Sequence, residues 1–413
     1  MSLTTLRRHC TALIAGVGLA VLTPQVLHAE EPEITAPIFE PNELYVQQDD
    51  RHLLYEGQIS GDAGIDATPN TNLIEQELAS AIERYRDEWT GLPTFNLERG
   101  SRLDRGDSGA RVEALRARLG LADGDAFDDE LRDRVALFRD MHGLSEGGHV
   151  DNDMIAALNR GPSHYLRILE TNLFRASELP DYLGRRYVHV DTLTQTLSMV
   201  DEDETVDTMR VVVGRPETQT PMMAGLVRYA IVNPYWNVPP DLVRDRYARR
   251  VIDGGQAYLR RTGFQLLSDF SNSPEILSPS DVDWPSVLSG DVPLRMRQLP
   301  GAGNGMGSVK FMFPNGLGIY LHDTPSTDLF EQDERMFSAG CVRVSRPESL
   351  GRWLMDGPMP EASGDPEEIV ELPFPVPIYI TYFTARADGD RIEFREDIYS
   401  RDTEDAPTLA QLD

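Results

Sequence analysis

The chain has 413 residues, of which 40% are hydrophobic and 26% charged. This is the composition of a globular protein long enough for two or three domains. The formal net charge of −29 argues against a nucleic acid or an anionic membrane surface as a partner, because like charges repel. No segment after residue 29 is apolar enough to span a bilayer.

The N-terminus has the pattern of an export signal. Arg7 and Arg8 precede an apolar run from Ala12 to Leu22, and Leu27-His28-Ala29 offers a small-residue cleavage site. Residues 1–29 are therefore predicted to be a secretory signal peptide, and no stable transmembrane anchor is expected after its cleavage. Cleavage would leave a single thiol, Cys341, in a compartment that favours oxidised or paired cysteines.

The next part of the chain predicts helices around a small separate unit. Residues 30–69 lack a sustained period and are interpreted as a flexible segment. Apolar residues at helical spacing predict one scaffold segment in 70–99 and a second in 164–182. We hypothesise that these two helices pack together and that residues 102–160 loop out between them.

Residues 102–160 are predicted to form three short helices. Apolar residues recur at helical spacing in three successive stretches. An oxygen side chain between Gly106 and Gly109 is expected to cap the first helix, and Asp151 to cap the last. With Leu103, His142-Gly143-Leu144 and other matching positions, this stretch resembles a three-helix peptidoglycan-binding domain; a plain helical spacer is the alternative.

Short β-prone runs predict a mainly β domain over residues 185–402. They are Tyr187–Val190, Leu197–Val200, Met209–Val213, Tyr229–Val232, Lys310–Phe313, Gly318–Leu321 and Ile378–Phe383. Residues 241–300, in which basic helix alternates with polar loop, are interpreted as a lid or capping insertion. The acidic tail, residues 403–413, is predicted to be disordered.

The chemistry-bearing residues lie in two short segments. His322 ends a β-prone run, and Cys341 follows a tight turn 19 residues later. An imidazole next to a thiol takes its proton and stabilises the thiolate. Gly340 would let backbone N–H groups approach an oxyanion. Arg343 is suited either to binding a substrate carboxylate or to stabilising the turn.

These segments resemble the YkuD-type L,D-transpeptidase motif, in which a histidine on one strand precedes a Ser-x-Gly-Cys-x-Arg turn. Ser338, Gly340, Cys341 and Arg343 match the turn. Further matching runs over about 70–402 indicate the large form of the family, with a scaffold and a peptidoglycan-binding domain. Many members have a second histidine where this chain has Ala339, so the base assignment depends on His322 alone.

The resemblance implies a multidomain α+β protein: a mainly β catalytic domain with a helical lid insertion, a three-helix peptidoglycan-binding-like domain and a helical scaffold. It implies an enzyme that needs no metal or organic cofactor, and the predicted signal peptide implies a periplasmic location. Cys341 would attack a peptidoglycan tetrapeptide stem and His322 would act as general base and acid. An amine acceptor would then complete a 3→3 crosslink, and carbapenem-type inhibitors would acylate the cysteine.

Substrate-binding roles are predicted for Arg343, Tyr320, Ser338 and Trp236. Tyr320 precedes His322 by two residues, so both side chains would face the same side of a strand. Trp236 is expected near the substrate cleft beside the lid.

Three alternatives are compatible with the same residues. The same cysteine and histidine would give an L,D-carboxypeptidase if water replaced the amine. The acceptor would be a protein amine if the enzyme attached a protein to peptidoglycan. A non-catalytic wall-binding protein is the third alternative.

Overall fold

The computed structural model describes residues 44–46, 50, 53–54, 72–271, 273–359, 363–389, 391–403 and 406. These residues belong to one unit, Pro37–Asp413. The predicted signal peptide, nearly all of the 30–69 segment and most of the 403–413 tail lie outside the described residues. Within the described part, no helix has the length and apolarity needed to cross a bilayer.

Two long helices lie side by side. Helix α1 spans Leu73–Tyr85 and continues as a π-helical turn, Arg86–Thr90, while helix α5 spans Pro162–Ser177. The Asn72 side chain at the start of α1 donates to the carbonyl of Ala176 near the end of α5, at 2.7 Å. The predicted pairing of the two scaffold helices is thus confirmed.

Three short helices come between them, as the apolar spacing predicted. They are α2 (Ala110–Arg118), α3 (Asp129–Met141) and α4 (Asn152–Arg160). The Asp151 carboxylate accepts from the Met154 N–H at 2.9 Å, so the predicted cap of α4 is confirmed. The predicted cap of α2 is wrong: its N-cap is Gly109, and Asp107 instead accepts from the Asp104 N–H at 2.8 Å.

A buried histidine joins these helices to the C-terminal part of the chain. His142 follows α3, stacks on Phe138 at 3.8 Å between ring centroids, and packs at 4.5 Å from Tyr165 of α5. Its ring also lies 5.6 Å from Phe394 in the hairpin formed by β15 (Ala385–Asp388) and β16 (Arg391–Phe394). Aromatic packing therefore connects three parts of the chain.

The strands beyond residue 185 form a large sheet whose ends also pair. The strands of the ring are β2 (Arg186–Asp191), β3 (Thr196–Asp201), β4 (Glu204–Gly214), β5 (Met223–Val232), β10 (Val309–Met312), β11 (Leu321–His322), β13 (Val342–Val344) and β14 (Glu368–Thr381). Their order is β5-β10-β11-β13-β4-β3-β2-β14, and β14 pairs back with β5. Two short strands, β1 (Tyr45–Val46) and β12 (Met336–Ser338), pair with β5 and β4. The mixed fold with a large sheet is thus confirmed.

Alternating apolar residues explain one face of this ring. Val188 and Val190 of β2, Leu197 of β3, and Val211 and Val213 of β4 are fully buried in the main core. The residues directly before and after them in each strand face the other side of the sheet. Helix α8 (Pro347–Leu354) follows β13 and buries Leu350 and Leu354.

Residues 236–298 form a second, smaller sheet with its own apolar cluster. Its strands are β6 (Trp236–Val238), β7 (Phe264–Leu267), β8 (Ile276–Leu277) and β9 (Arg295–Gln298), in the order β6-β9-β7-β8. Helical turns Pro240–Leu242 and Val243–Tyr247, helix α6 (Ala248–Thr262) and helix α7 (Trp284–Ser289) connect the strands. The insertion thus contains strands that the pattern of helix and loop did not predict.

Candidate active site

Two parallel strands bring the predicted catalytic residues onto one face of the large sheet. In the pairing of β11 with β13, Leu321 lies opposite Val342 and His322 opposite Arg343. Leu321 and Val342 are fully buried on the core side. Because side chains alternate along a strand, Tyr320 and Cys341, two residues before His322 and Arg343, continue the opposite face.

Cys341 is a free, half-buried cysteine. Its thiol donates to the carbonyl oxygen of Gly318 at 3.6 Å. Burial raises the pKa of the Cys341 thiol, while the backbone N–H and the hydroxyl of Tyr320 act in the opposite direction. The resting group is therefore a thiol at neutral pH, and a thiolate formed there has two donors beside it.

His322 is buried, with 1% of its surface exposed. Its Nδ1 lies 2.6 Å from the carbonyl oxygen of Asp323. A carbonyl only accepts, so Nδ1 carries the proton and Nε2 is the basic nitrogen. Burial, helped by the charges of Arg343 and Lys310, lowers the pKa of His322 to about 3. The imidazole is therefore neutral at pH 7, the state that a general base requires.

Tyr320 neighbours both Cys341 and His322. Its ring centroid is 5.7 Å from that of His322 in an edge-on arrangement, and its hydroxyl lies 3.4 Å from the Met306 sulfur. Burial and the neighbouring Cys341 raise the pKa of the Tyr320 hydroxyl, which therefore stays protonated and able to donate. The predicted placement of Tyr320 on the face of His322 agrees with this geometry.

Lys310 is a site residue to which the sequence reasoning gave no role. It is 7% exposed on β10, opposite His322, and its Nζ lies 5.7 Å from the centroid of the Tyr320 ring. Its ion pair with Glu367 measures 3.4 Å. A lysine in a β-prone run is an available signal, but its position beside His322 depends on strand pairing.

The turn before Cys341 is stabilised by its own polar groups. Gly340 has φ of 115°, a conformation that favours glycine. Its N–H donates to Ser338 Oγ at 3.1 Å, and its carbonyl accepts from Thr220 Oγ1 at 2.7 Å. Ser338 is 3% exposed, so its hydroxyl lies inside the turn. In this structure the Gly340 N–H is used within the turn, and its oxyanion role remains a prediction.

Two other arginines influence the half-buried Arg343. Burial, together with the charges of Arg246 and Arg215, lowers the pKa of the Arg343 guanidinium. Burial raises the pKa of the nearby Tyr247 hydroxyl, while the charge of Arg343 acts in the opposite direction. The Tyr247 ring packs 5.8 Å from that of Trp236 between centroids. Trp236 therefore packs against the apolar cluster of the insertion. Tyr247 is its neighbour on the side of Arg343.

A thiol, a neutral imidazole of fixed tautomer and hydrogen-bond donors thus lie on one face of the sheet, and cysteine enzymes use groups of these kinds in acyl transfer. Residues 185–370 match the family described as the YkuD L,D-transpeptidase catalytic domain. This segment of the chain is therefore an L,D-transpeptidase catalytic domain of the YkuD family.

A provisionally named L,D-transpeptidase of Haemophilus influenzae is 29% identical over 193 residues. The match covers 47% of this chain and 38% of that protein, so the chain spans about two fifths of the length of this relative.

Solved structures of L,D-transpeptidases show only distant similarity. The Mycobacterium smegmatis enzyme is 13% identical, with 48% of this chain and 58% of that chain covered and a TM-score of 0.24. L,D-transpeptidase 3 of Mycobacterium tuberculosis, in complex with a faropenem-derived adduct, is 11% identical, with coverage of 48% and 60% and a TM-score of 0.24. Scores of this size do not establish a common fold.

Proposed function

We propose that this protein is a peptidoglycan L,D-transpeptidase that forms 3→3 crosslinks through a thioester on Cys341. The observation that carries the proposal is the placement of Cys341 and His322 on one face of neighbouring parallel strands, within a domain of the L,D-transpeptidase family. The neutral state of His322 supports its role as the base.

The proposed first half-reaction is acylation. Nε2 of His322 takes the thiol proton as the Cys341 sulfur attacks the carbonyl carbon at the L-configured centre of a tetrapeptide stem. The imidazolium then protonates the departing amine, and the terminal D-Ala leaves. In the resting structure the thiol donates to Gly318, so the sulfur must turn away from that carbonyl before proton transfer.

The second half-reaction reverses these proton movements. An amine of a neighbouring stem attacks the thioester, His322 accepts a proton from that amine, and the imidazolium returns a proton to the leaving sulfur. A new amide bond forms and the thiol is restored. Every group required is supplied by the chain and its two substrates.

The other predicted site residues have supporting roles in this proposal. Tyr320 donates to the Cys341 thiolate, and Arg343 supplies positive charge for a substrate carboxylate. Gly340 and Ser338 shape the turn, and the Gly340 amide becomes an oxyanion donor if it leaves Ser338. Trp236 supports the wall of the cleft from the insertion.

The proposal extends to the remainder of the chain. Residues 1–29 direct export to the periplasm, residues 102–160 bind peptidoglycan, and residues 241–300 act as a lid. The lid is supported by the proximity of the insertion to the site, since the charge of Arg246 lowers the pKa of Arg343. The 102–160 unit is supported by its three helices and by the resemblance of its sequence.

Product analysis tests the activity. The mature protein and its Cys341→Ala variant are incubated with tetrapeptide-bearing muropeptides, and the products are separated and weighed by mass spectrometry. Cys341-dependent dimers with 3→3 links support the transpeptidase. Tripeptides without dimers would instead identify an L,D-carboxypeptidase.

Two further outcomes separate the remaining alternatives. Transfer of the stem only to an added protein amine would identify a protein-attachment enzyme. Binding to peptidoglycan sacculi without any product would identify a wall-binding protein.

A further inference from the structure

A buried arginine lies in a segment beyond residues 185–370, the part that matches the catalytic-domain family. Arg401 is 2% exposed, and its guanidinium lies over the rings of Tyr382 and Tyr399, at 4.7 and 4.9 Å from their centroids. Burial lowers the pKa of Arg401 to about 10, so it is charged at pH 7. A buried charge requires good partners, and the partners of Arg401 point towards the active site.

Arg401 belongs to residues 397–402, here named the C-terminal strap, and bonds to the loop of residues 214–220. Its Nε donates to Gln219 Oε1 at 2.8 Å, and its Nη2 donates to the carbonyl of Thr220 at 2.9 Å. Gln219 Nε2 donates in return to the carbonyl of Tyr399 at 3.0 Å. The loop is thus fixed to the strap by bonds in both directions.

The same loop holds the turn that carries the nucleophile. Thr220 Oγ1 donates to the carbonyl of Gly340, at 2.7 Å, next to Cys341. Thr218 Oγ1 and the Arg215 N–H both donate to the carbonyl of Ser338, each at 3.1 Å. Two of the three carbonyls that precede Cys341 in the turn therefore depend on this loop.

The far end of the strap is fixed to helix α5. Asp402 forms an ion pair of 2.8 Å with Arg175, whose side chain is fully buried. Asn172, also on α5, donates to Thr384 Oγ1 at 2.8 Å and accepts from the Thr384 N–H at 2.9 Å. A continuous set of buried polar contacts thus runs from the scaffold helix to the residue before Cys341.

We propose that Arg401 is a positioning residue for the reaction at Cys341, acting through the 214–220 loop and Thr220 on the Gly340 carbonyl. The strap fixes the position of the sulfur relative to the N–H and hydroxyl of Tyr320 that stabilise its thiolate. A displacement of about 1 Å in a reacting group can reduce a rate by about a hundredfold. The inference relies on the proposed function only in naming Cys341 as the nucleophile.

The test measures the reactivity of Cys341 in the full mature protein. Alkylation by iodoacetamide is followed by intact-mass spectrometry at several pH values, well below the melting temperature, and acylation by a carbapenem is followed in the same way. Thr220→Val removes the hydroxyl, whereas Thr220→Ser keeps it as the matched control. Arg401→Gln removes the charge, and Arg401→Lys keeps it. Arg395→Gln breaks a nearby ion pair with Asp191 and is the control for the region.

We expect Thr220→Val to slow both reactions about tenfold and to move the midpoint of the pH profile of alkylation to higher pH. Thr220→Ser should restore the wild-type profile. Arg401→Gln should change the rate and midpoint in the same direction as Thr220→Val, Arg401→Lys should be intermediate, and Arg395→Gln should match the wild type.

The proposal is overturned if folded Thr220→Val and Arg401→Gln proteins react at the wild-type rate with the wild-type midpoint. A lower melting temperature with an unchanged pH profile also overturns it, because that result indicates a purely structural role. If Arg401→Gln does not fold, Thr220→Val decides. If the wild type alkylates with the expected dependence on Thr220 but is acylated by neither carbapenem nor stem, the strap is supported and the proposed function fails.

Discussion

Nδ1 of His322 lies 2.6 Å from the carbonyl oxygen of Asp323, the next residue in the chain. This bond fixes the tautomer through the backbone, so no acidic side chain is needed to orient the imidazole. Together with a pKa lowered to about 3, it leaves Nε2 of His322 unprotonated near neutral pH.

Replacement of the base should slow acylation more than it affects folding. We expect His322→Gln to reduce the rate of carbapenem acylation by about a hundredfold or more, because general base catalysis contributes about 10²–10⁴. Intact-mass time courses measure the rate. His164→Gln, a change on helix α5, is the matched control and should acylate normally; equal rates for both variants would remove His322 from the mechanism.

The pH dependence of thiol reactivity follows from the two pKa shifts. A free thiol has a pKa of about 8.5. Because the pKa of Cys341 is raised, the rate of iodoacetamide alkylation should still be rising above that pH. The lowered pKa of His322 means that no step should occur near pH 6.5. A plateau reached by pH 7 would indicate a preformed thiolate and imidazolium, contrary to the structure.

Gly340 should not tolerate a side chain. A Cβ there would lie 3.2 Å from Cδ1 of Ile319, at a φ of 115° that strains any other residue. We expect Gly340→Ala to destabilise the fold by about 1–3 kcal/mol and to slow acylation. Gly364→Ala, at φ of 95° in open space, controls for backbone strain alone. The account of the turn fails if both variants acylate at the wild-type rate.

His142 should make stability depend on pH. Its Nδ1 bonds to the Phe138 carbonyl at 2.7 Å and its Nε2 to the Tyr85 hydroxyl at 3.0 Å. Burial lowers the pKa of His142 to about 3, well below the value of about 6.5 in the unfolded chain. The unfolded state therefore binds the extra proton, and stability is lost as the pH falls below 6.5.

Urea unfolding at pH 7 and pH 5 measures this loss. The contribution of His142 should be about 2 kcal/mol, since one pH unit is worth up to about 1.4 kcal/mol for one proton. His142→Gln should be less stable at pH 7 but should lose less on acidification. An equal loss in both proteins would show that His142 does not titrate as expected.

The sequence predicted the structural features that depend on residues close together in the chain. The period of Ile74, Leu78 and Ile82 predicted helix α1, and the spacing around Cys341 predicted a turn before the nucleophile. The strands of the insertion were missed because they are short, and β9 alternates arginine with Met296 and Gln298 over four residues.

The missed site residues have roles that come from contacts distant in sequence. Lys310 reaches His322 through strand pairing. Thr220 lies 120 residues before Gly340, and Arg401 lies 181 residues after Thr220. No local pattern indicates such contacts, whereas the chemistry of a thiol and an imidazole is readable from residue type.

The central claim is that Cys341 forms a thioester with a peptidoglycan stem. The most direct measurement is intact-mass spectrometry of the mature protein after mixing with a tetrapeptide donor in the absence of an acceptor amine. We predict a mass increase equal to the donor minus D-Ala, located on Cys341 by peptide mapping and absent from Cys341→Ala. An adduct that persists in Cys341→Ala, or consumption of the donor with an equal rate in both proteins, would contradict the account.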